Sequence, residues 1–163
     1  MSDTLHTLTT PLGPLMLCAR DTGLRGAWFV GQRHFPDLQP PAVSALAPTH
    51  PVLAQACTQL HEYFAGQRQQ FTLPLDLSRG TPFQQQVWNA LLGIGWGQTA
   101  GYGQLAQLLG RVQAARAVGM AVGRNPISII VPCHRVLGAD GSLTGYAGGL
   151  DRKQHLLRRE GVL

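Results

Sequence analysis

The stretch Ile129-Ile130-Val131-Pro132-Cys133-His134-Arg135-Val136 organises the rest of the chain. Its three consecutive branched apolar residues predict a short buried strand. Pro132 fixes its own φ angle and lacks a backbone donor, so Cys133 follows a stiff segment. Such a cysteine is either a thiolate nucleophile with a base nearby or a small buried hydrophobic residue. The stretch alone does not decide between these two interpretations.

Length and composition indicate an ordinary globular protein. The chain has 163 residues, of which 44% are apolar, enough for one domain or two small ones with a real core. No apolar run is long enough to cross a bilayer, and polar residues follow Met1, so we expect a soluble protein of the cytoplasm. The three cysteines are widely spaced and include no Cys-x-x-Cys pair. This pattern argues against a disulfide framework and against a structural zinc site, and we expect no metal.

The positive charge is concentrated in the second half of the chain. Residues 1–79 contain five basic and five acidic residues, whereas residues 80–163 contain eight basic and three acidic ones. The whole net charge of +5 therefore lies in the second half. Twelve of the thirteen basic residues are arginines, which suit bidentate contacts with phosphate. A basic half beside a neutral one favours a nucleic-acid partner over a merely solubilising surface.

The first half predicts a small α/β domain, with its linker, over residues 1–79. Alternating and apolar runs separated by turn residues predict a meander of three strands, at Leu5–Thr9, Leu15–Arg20 and Leu24–Val30. Leu53, Cys57, Leu60 and Phe64 then recur at helical spacing. Cys18 and Cys57 fall on these apolar runs, so we interpret both as core residues. The isolated histidines, which we place on the surface or in loops, are His34, His50 and His61.

The second half predicts a helical domain over residues 80–163, which makes the fold class α+β. Thr81-Pro82 predicts the start of a helix, and apolar residues at helical spacing continue from there to Ile94. Two short helices, Tyr102–Leu109 and Gln113–Arg124, joined by a turn with glycine, form a helix-turn-helix candidate. The last helix covers Leu150–Arg159, with acidic and basic residues at the ends that the helix dipole favours.

The second helix of this pair is unusual for a helix that reads bases. Only Gln113 and Arg116 are long enough to reach base edges, and the other residues are alanine, glycine or apolar. Small residues would let the helix lie close to a backbone or in a shallow groove, with little sequence preference. The alternative is a tightly packed interior helix with one exposed arginine. Farther on, the glycine-rich residues 138–149 around Tyr146 form a loop able to wrap a ligand, and Glu160 is by default a solvated carboxylate.

Several motifs in this half resemble the O6-alkylguanine-DNA alkyltransferase family. They lie in the family's order and spacing from Gly80 onward, whereas the first half resembles the family mainly in layout. The resemblance implies an N-terminal domain with an antiparallel sheet, followed by a helical, winged-helix-like DNA-binding domain. The matching runs are Ala114-Ala115-Arg116-Ala117-Val118-Gly119, Asn125-Pro126-Ile127-Ser128-Ile129-Ile130-Val131-Pro132-Cys133-His134-Arg135-Val136, Thr144-Gly145-Tyr146-Ala147-Gly148-Gly149 and Leu156-Leu157-Arg158-Arg159-Glu160-Gly161.

The resemblance implies a catalytic group of four residues. Cys133 would accept the alkyl group, His134 would act as its base through a water molecule, and Glu160 would orient His134. Asn125 would brace the loop that carries Cys133. Displacement at an alkyl carbon calls for a soft thiolate, which a thiol near a His–Glu pair can supply.

The resemblance also implies how DNA and the target base are held. Tyr102 would contact the flipped guanine and help to protonate it as it leaves, and Arg116 would fill the gap in the duplex. The backbone at Val136 and Ala147, with Tyr146 in the wall, would hold the guanine. The expected DNA-contacting residues are Tyr102, Ala115, Arg116 and Gly119.

The implied activity is repair of double-stranded DNA by a monomer that uses no cofactor and reacts once. The alkyl group would come from O6-alkylguanine, and also from O4-alkylthymine. Two alternatives remain, a cysteine hydrolase that uses Cys133 and His134, and a non-enzymatic lesion-recognition protein, although relatives of that kind lack the cysteine. Gly95 and Gly101 depart from the family pattern, which has Pro and Ser there in many members, and both loosen the approach to Tyr102.

Overall fold

The structure, a computed structural model, describes residues 2–163 and has the α+β fold that the sequence predicts. The chain divides into two compact units, one up to Asp76 and the other from Leu77 to Leu163. Within the described residues, no helix has both the length and the apolar composition needed to cross a membrane.

The first unit contains the three-stranded meander that the sequence predicts. The strands are β1 (Thr4–Thr10), β2 (Gly13–Arg20) and β3 (Gly23–Phe29), and each is antiparallel to the next. Gly23 begins β3 with a φ of 142°, and a Cβ there would lie 2.7 Å from the Pro74 carbonyl oxygen. Only glycine allows so close an approach, and it lets the Leu24 amide donate to that oxygen at 2.9 Å.

Residues on both faces of β2 are buried, which explains its continuous apolar run. Met16 and Cys18 pack with Trp28 on one face, and helix α1 (Pro51–Phe64) packs on the sheet. Cys57 on α1 is also buried, as expected. His50 is more than an isolated loop histidine, because its Nδ1 caps α1 by accepting a hydrogen bond from the Val52 amide at 3.2 Å.

The second unit is mostly helical. Its elements are α2 (Pro82–Leu91), β4 (Ala100–Gly101), α3 (Tyr102–Leu108), α4 (Ala115–Gly123), a 3₁₀ turn (Cys133–Arg135), β5 (Val136–Leu137) and α5 (Leu150–Arg159). Strands β4 and β5 pair in parallel, with Ala100 opposite Val136. This short pairing places the start of α3 directly beside the segment that follows Cys133.

Helices α2, α3 and α4 pack against one another, and α3 and α4 are the two helices predicted as a helix-turn-helix. Thr81 and Gln84 cap α2 reciprocally, at 3.1 and 3.0 Å. The buried Trp88 indole of α2 donates to the Ala121 carbonyl at 2.8 Å and so anchors α4. Helix α4 begins at Ala115 rather than at Gln113, because the preceding residues form a turn in which the Ala114 amide donates to the Arg111 carbonyl.

The predicted strand at Ile129–Val131 is wrong, although these residues are buried as expected. The segment coils through successive turns, in which the Val131 amide donates to the Ile127 carbonyl at 3.0 Å and Ile129 has a φ of 72°. The Asn125 side chain supplies the hydrogen bonds that a neighbouring strand would otherwise provide. Branched apolar residues therefore predicted the burial of this segment but not its backbone conformation.

Candidate active site

Cys133 begins the 3₁₀ turn directly after Pro132 and is only 7% exposed. Burial raises the pKa of its thiol above the usual value, whereas the Asn125 amide, the Lys153 ammonium and the local backbone act in the opposite direction. The thiol is therefore protonated at neutral pH until a base removes its proton. The other two cysteines of the chain, Cys18 and Cys57, lie in the first unit and are also buried.

Asn125 connects the end of α4 to the loop that carries Cys133. Its side-chain Nδ2 donates to the Val131 carbonyl at 2.8 Å, and its Oδ1 accepts from the Ile127 amide at 3.0 Å. The residue is buried, so these bonds are shielded from water. This geometry fits the bracing role expected of Asn125.

His134 and Glu160 form a buried pair, with 2.8 Å between His134 Nε2 and Glu160 Oε2. A carboxylate oxygen can only accept, so Nε2 carries the hydrogen and donates this bond, which leaves Nδ1 as the acceptor nitrogen. Nδ1 is buried and has no hydrogen-bond partner among residues 2–163. Burial lowers the pKa of His134, although Glu160 opposes this shift. The ring is therefore neutral at rest and presents a basic nitrogen.

Arg135 clamps the same carboxylate, a contact that the sequence did not predict. Its Nε donates to Glu160 Oε1 at 2.7 Å, its Nη2 donates to Oε2 at 3.1 Å, and its Nη1 donates to the Ile94 carbonyl at 2.6 Å. Glu160 is only 2% exposed, so its default interpretation as a solvated carboxylate is wrong. Two bonds from a planar guanidinium fix the carboxylate in one orientation toward His134.

Lys153 is a second residue that the sequence analysis missed. It is fully buried on α5, and its Nζ donates to the carbonyls of Val136 at 2.5 Å and Thr144 at 2.8 Å. Burial lowers its pKa to about 8, and the Cys133 sulfur opposes this shift. The signal was available, because Lys153 lies three residues before the buried Leu156 and seven before Glu160, on one helical stripe.

Tyr102 lies at the start of α3 and faces the glycine-rich loop. Its hydroxyl donates to the Thr144 carbonyl at 3.3 Å, the same oxygen that Lys153 contacts. A Cβ at Gly119 would lie 3.4 Å from the Tyr102 ring, so the absence of a side chain there gives the ring room. Tyr102, Gly119 and the loop at Thr144 are therefore brought together.

The residues expected to hold the guanine lie near the same place. Val136 is buried, and its carbonyl oxygen already accepts from Lys153. The Tyr146 hydroxyl is buried, and burial raises the pKa of Tyr146 well above its ordinary value. Ala147 is half-buried. The loop around Tyr146 ends at the start of α5, where the Gly149 amide donates to the Tyr146 carbonyl at 2.9 Å.

Arg116 stands apart from this buried group. It is exposed on α4, and its guanidinium has no hydrogen bond or ion pair within the part of the chain that the structure describes. Ala115 beside it is half-buried. The alternative interpretation of α4 as a tightly packed interior helix therefore fits only one of its faces, since the other face is exposed to solvent.

Comparison with known proteins assigns both units to one family. Residues 82–162 match the family model described as the DNA-binding domain of 6-O-methylguanine DNA methyltransferase, and residues 5–77 match the model of its ribonuclease-like domain. The chain belongs to the 6-O-methylguanine DNA methyltransferase family.

Similar members of the 6-O-methylguanine DNA methyltransferase family align with this chain over almost their full length. The methylated-DNA–protein-cysteine methyltransferase of Mycobacterium leprae is 48% identical over 95% of this chain and 90% of its own. That of Shigella flexneri is 46% identical over 96% of this chain and 94% of its own. A crystal structure of Mycobacterium tuberculosis OGT in complex with DNA is 46% identical, covers 96% of this chain and 91% of its own, and has a TM-score of 0.83.

Proposed function

We propose that this protein repairs alkylated DNA by transferring the alkyl group of O6-alkylguanine, and of O4-alkylthymine, to Cys133. It is a methylated-DNA–protein-cysteine methyltransferase, in keeping with the names of its relatives. The observation that carries the assignment to Cys133 is the adjacent buried pair, in which Glu160 holds His134 with its basic Nδ1 free.

The transfer is a displacement at the alkyl carbon. A bond forms between Cys133 Sγ and this carbon while the bond from the carbon to guanine O6 breaks. The thiol proton passes through a water molecule to His134 Nδ1, and Glu160 stabilises the imidazolium that results. Tyr102 donates a proton to the departing guanine, and the proton taken up by His134 then returns to Tyr102 through water. The net reaction turns the thiol and the alkylated base into a thioether and guanine, and the stable thioether limits each molecule to one reaction.

Lys153 and Arg135 support this step without touching the alkyl group. The Lys153 ammonium acts on the Cys133 sulfur as a positive charge and so favours the thiolate over the buried thiol. Its bonds to Val136 and Thr144 also fix the carbonyls that border the guanine pocket. Arg135 holds the Glu160 carboxylate in one orientation. We assign both as positioning residues.

The buried sulfur requires the target base to leave the duplex. A base inside the stack cannot bring its O6 to a cysteine that is 7% exposed, so we propose that the nucleotide flips into the pocket between Tyr102, Tyr146 and Ala147. Arg116 is the exposed long side chain near the start of α4 and fills the vacancy. Ala115 and Gly119 allow the helix to lie close to the duplex.

The test is intact-mass measurement after incubation with a duplex that contains O6-methylguanine. One methyl group per molecule is expected, peptide mapping should place it on Cys133, and repaired guanine should plateau at one equivalent of protein. Sustained turnover past one equivalent would indicate a hydrolase instead. Methylation of Cys18 or Cys57 at comparable yield would contradict the assignment of the acceptor.

Base flipping is tested separately from chemistry. Because free O6-benzylguanine needs no extrusion from a duplex, Arg116→Ala should react with it at the wild-type rate but react slowly with an alkylated duplex. Equal losses on both substrates would show that Arg116 supports the pocket rather than extrusion. We further propose that the protein acts as a monomer and that its substrate DNA lies in the cytoplasm.

A further inference from the structure

The exposed face of α4 carries more than Arg116. The helix buries Val118, Ala121 and Val122 on one side. On the opposite side it exposes Arg116, Ala117, Met120 and Arg124, the last of which is its C-cap residue. Met120 is 70% exposed, which makes it the large apolar side chain of this face.

Helical geometry places Met120 between the two arginines. It follows Arg116 by four residues, which corresponds to about 40° around the helix and about 6 Å along its axis. Arg124 follows Met120 by the same interval. The two guanidiniums have no hydrogen bond or ion pair with any residue from 2 to 163. The three side chains therefore form one outward stripe, Arg–Met–Arg.

The chemistry of this stripe fits a DNA duplex better than a protein partner. The second half of the chain carries the whole net charge of +5, so the face is complementary to phosphates and would repel a second copy of itself. Methionine is flexible and polarisable, and proteins that bind the minor groove often use such apolar side chains as wedges or wall contacts. The stripe is also continuous with Arg116, which the proposed function already places in the DNA.

We propose that Met120 is a second, apolar contact with the duplex, one that packs against deoxyribose and base edges beside the vacated position. Since base pairs are about 3.4 Å apart, the 6 Å offset places it within about two base steps of the nucleotide that Arg116 replaces. Arg124 contacts a backbone phosphate at the far end of the stripe. This inference rests on the proposed function, because it requires α4 to face the duplex.

The test separates an apolar contact from an ionic one by its salt dependence. Duplex binding is measured by fluorescence anisotropy over a series of salt concentrations. Met120→Ala and Met120→Gln should each weaken binding about five- to thirty-fold, by the same factor at every salt concentration. Met120→Leu should bind within two-fold of the wild type. Arg124→Gln should instead reduce the slope of log affinity against log salt by about one.

Three further measurements make the test specific. Met120→Ala should leave thermal unfolding and transfer from free O6-benzylguanine unchanged, because the side chain is exposed and outside the pocket. Leu46→Ala is the matched control, since Leu46 is an 80% exposed apolar residue of the first unit. It should bind DNA like the wild type.

The inference is overturned if Met120→Ala binds the duplex within two-fold of the wild type, if its salt slope changes, or if it slows the reaction with the free base. These outcomes differ from failure of the proposed function itself. In that case the wild-type protein would transfer no alkyl group from duplex DNA to Cys133.

Discussion

Replacing Glu160 by glutamine tests the buried relay most directly. The carboxylate accepts hydrogen bonds from His134 Nε2 at 2.8 Å and from Arg135 at 2.7 and 3.1 Å, and it is 2% exposed. Glutamine has nearly the same shape but no charge. Glu160→Gln therefore leaves the Arg135 guanidinium buried without a counter-ion and removes the negative charge that we propose stabilises the His134 imidazolium.

Both expected losses can be estimated. Removing one partner of a buried ion pair lowers the free energy of unfolding by about 3–5 kcal/mol. Loss of effective base catalysis slows the reaction about 10²–10⁴-fold. The measurements are urea unfolding and the single-turnover rate of transfer from free O6-benzylguanine to Cys133, which does not depend on DNA binding.

A double variant separates stability from chemistry. Arg135→Met combined with Glu160→Leu removes both charges, and an apolar replacement of a buried ion pair should restore about 1–4 kcal/mol relative to Glu160→Gln. Transfer should stay slow, because His134 still lacks its acceptor. Adding His134→Ala to Glu160→Gln should slow transfer little further, since the two residues act as one unit.

Two results would refute this reasoning. One is a Glu160→Gln variant that transfers the alkyl group within a few-fold of the wild-type rate. The other is recovery of transfer in the double variant together with its stability, which would mean that the carboxylate serves only to balance Arg135.

Three further predictions concern the second unit. Lys153→Met removes a group whose folded-state pKa is lowered from 10.5 to about 8. Between these two pH values the folded protein thus binds fewer protons than the unfolded chain. The free energy of unfolding of the wild type, measured relative to that of the variant, should therefore rise with pH across this window, by at most about 1.4 kcal/mol per pH unit. A difference in urea unfolding that does not change with pH would contradict the lowered pKa. Gly101→Ser should raise the free energy of unfolding by about 0.5–1 kcal/mol, because Gly101 has an ordinary extended conformation (φ −88°, ψ 159°) and lacks a capping side chain at the start of α3; thermal unfolding at or below the wild-type temperature would argue against this. Trp88→Phe leaves the Ala121 carbonyl without its indole donor and should lower the free energy of unfolding by about 1–3 kcal/mol; unchanged urea unfolding would mean that α4 does not depend on this anchor.

Local patterns predicted most of the fold because they depend on neighbouring residues. The meander follows from turn residues between apolar runs, and α5 has the predicted bounds Leu150–Arg159. Burial of Cys18 and Cys57 also follows from their positions on apolar stripes. In each case the residues that determine the local structure are close neighbours in the sequence.

The missed features depend on partners far away in the sequence. Ile129–Val131 looks like a strand because side-chain patterning predicts burial, but the Asn125 amide replaces the missing neighbouring strand. Lys153 and Arg135 look like surface charges until the carbonyls of Val136, Thr144 and Ile94 are brought to them. The periodicity of apolar residues in the sequence does not specify which distant carbonyl will accept a hydrogen bond from a buried charged side chain.

Helix α5 and its C-cap carry both Lys153 and Glu160, so the burial of Cys133 and the placement of these two charges depend on the same helix. A fluctuation that detaches α5 would expose the Cys133 thiol to solvent. The same fluctuation would withdraw the ammonium that favours the thiolate and the carboxylate that holds His134. An exposed Cys133 would therefore lack its proposed base, whereas the Cys133 that has this base beside it is buried. The docking of one helix thus couples the burial of the thiol to the assembly of the groups that we propose activate it.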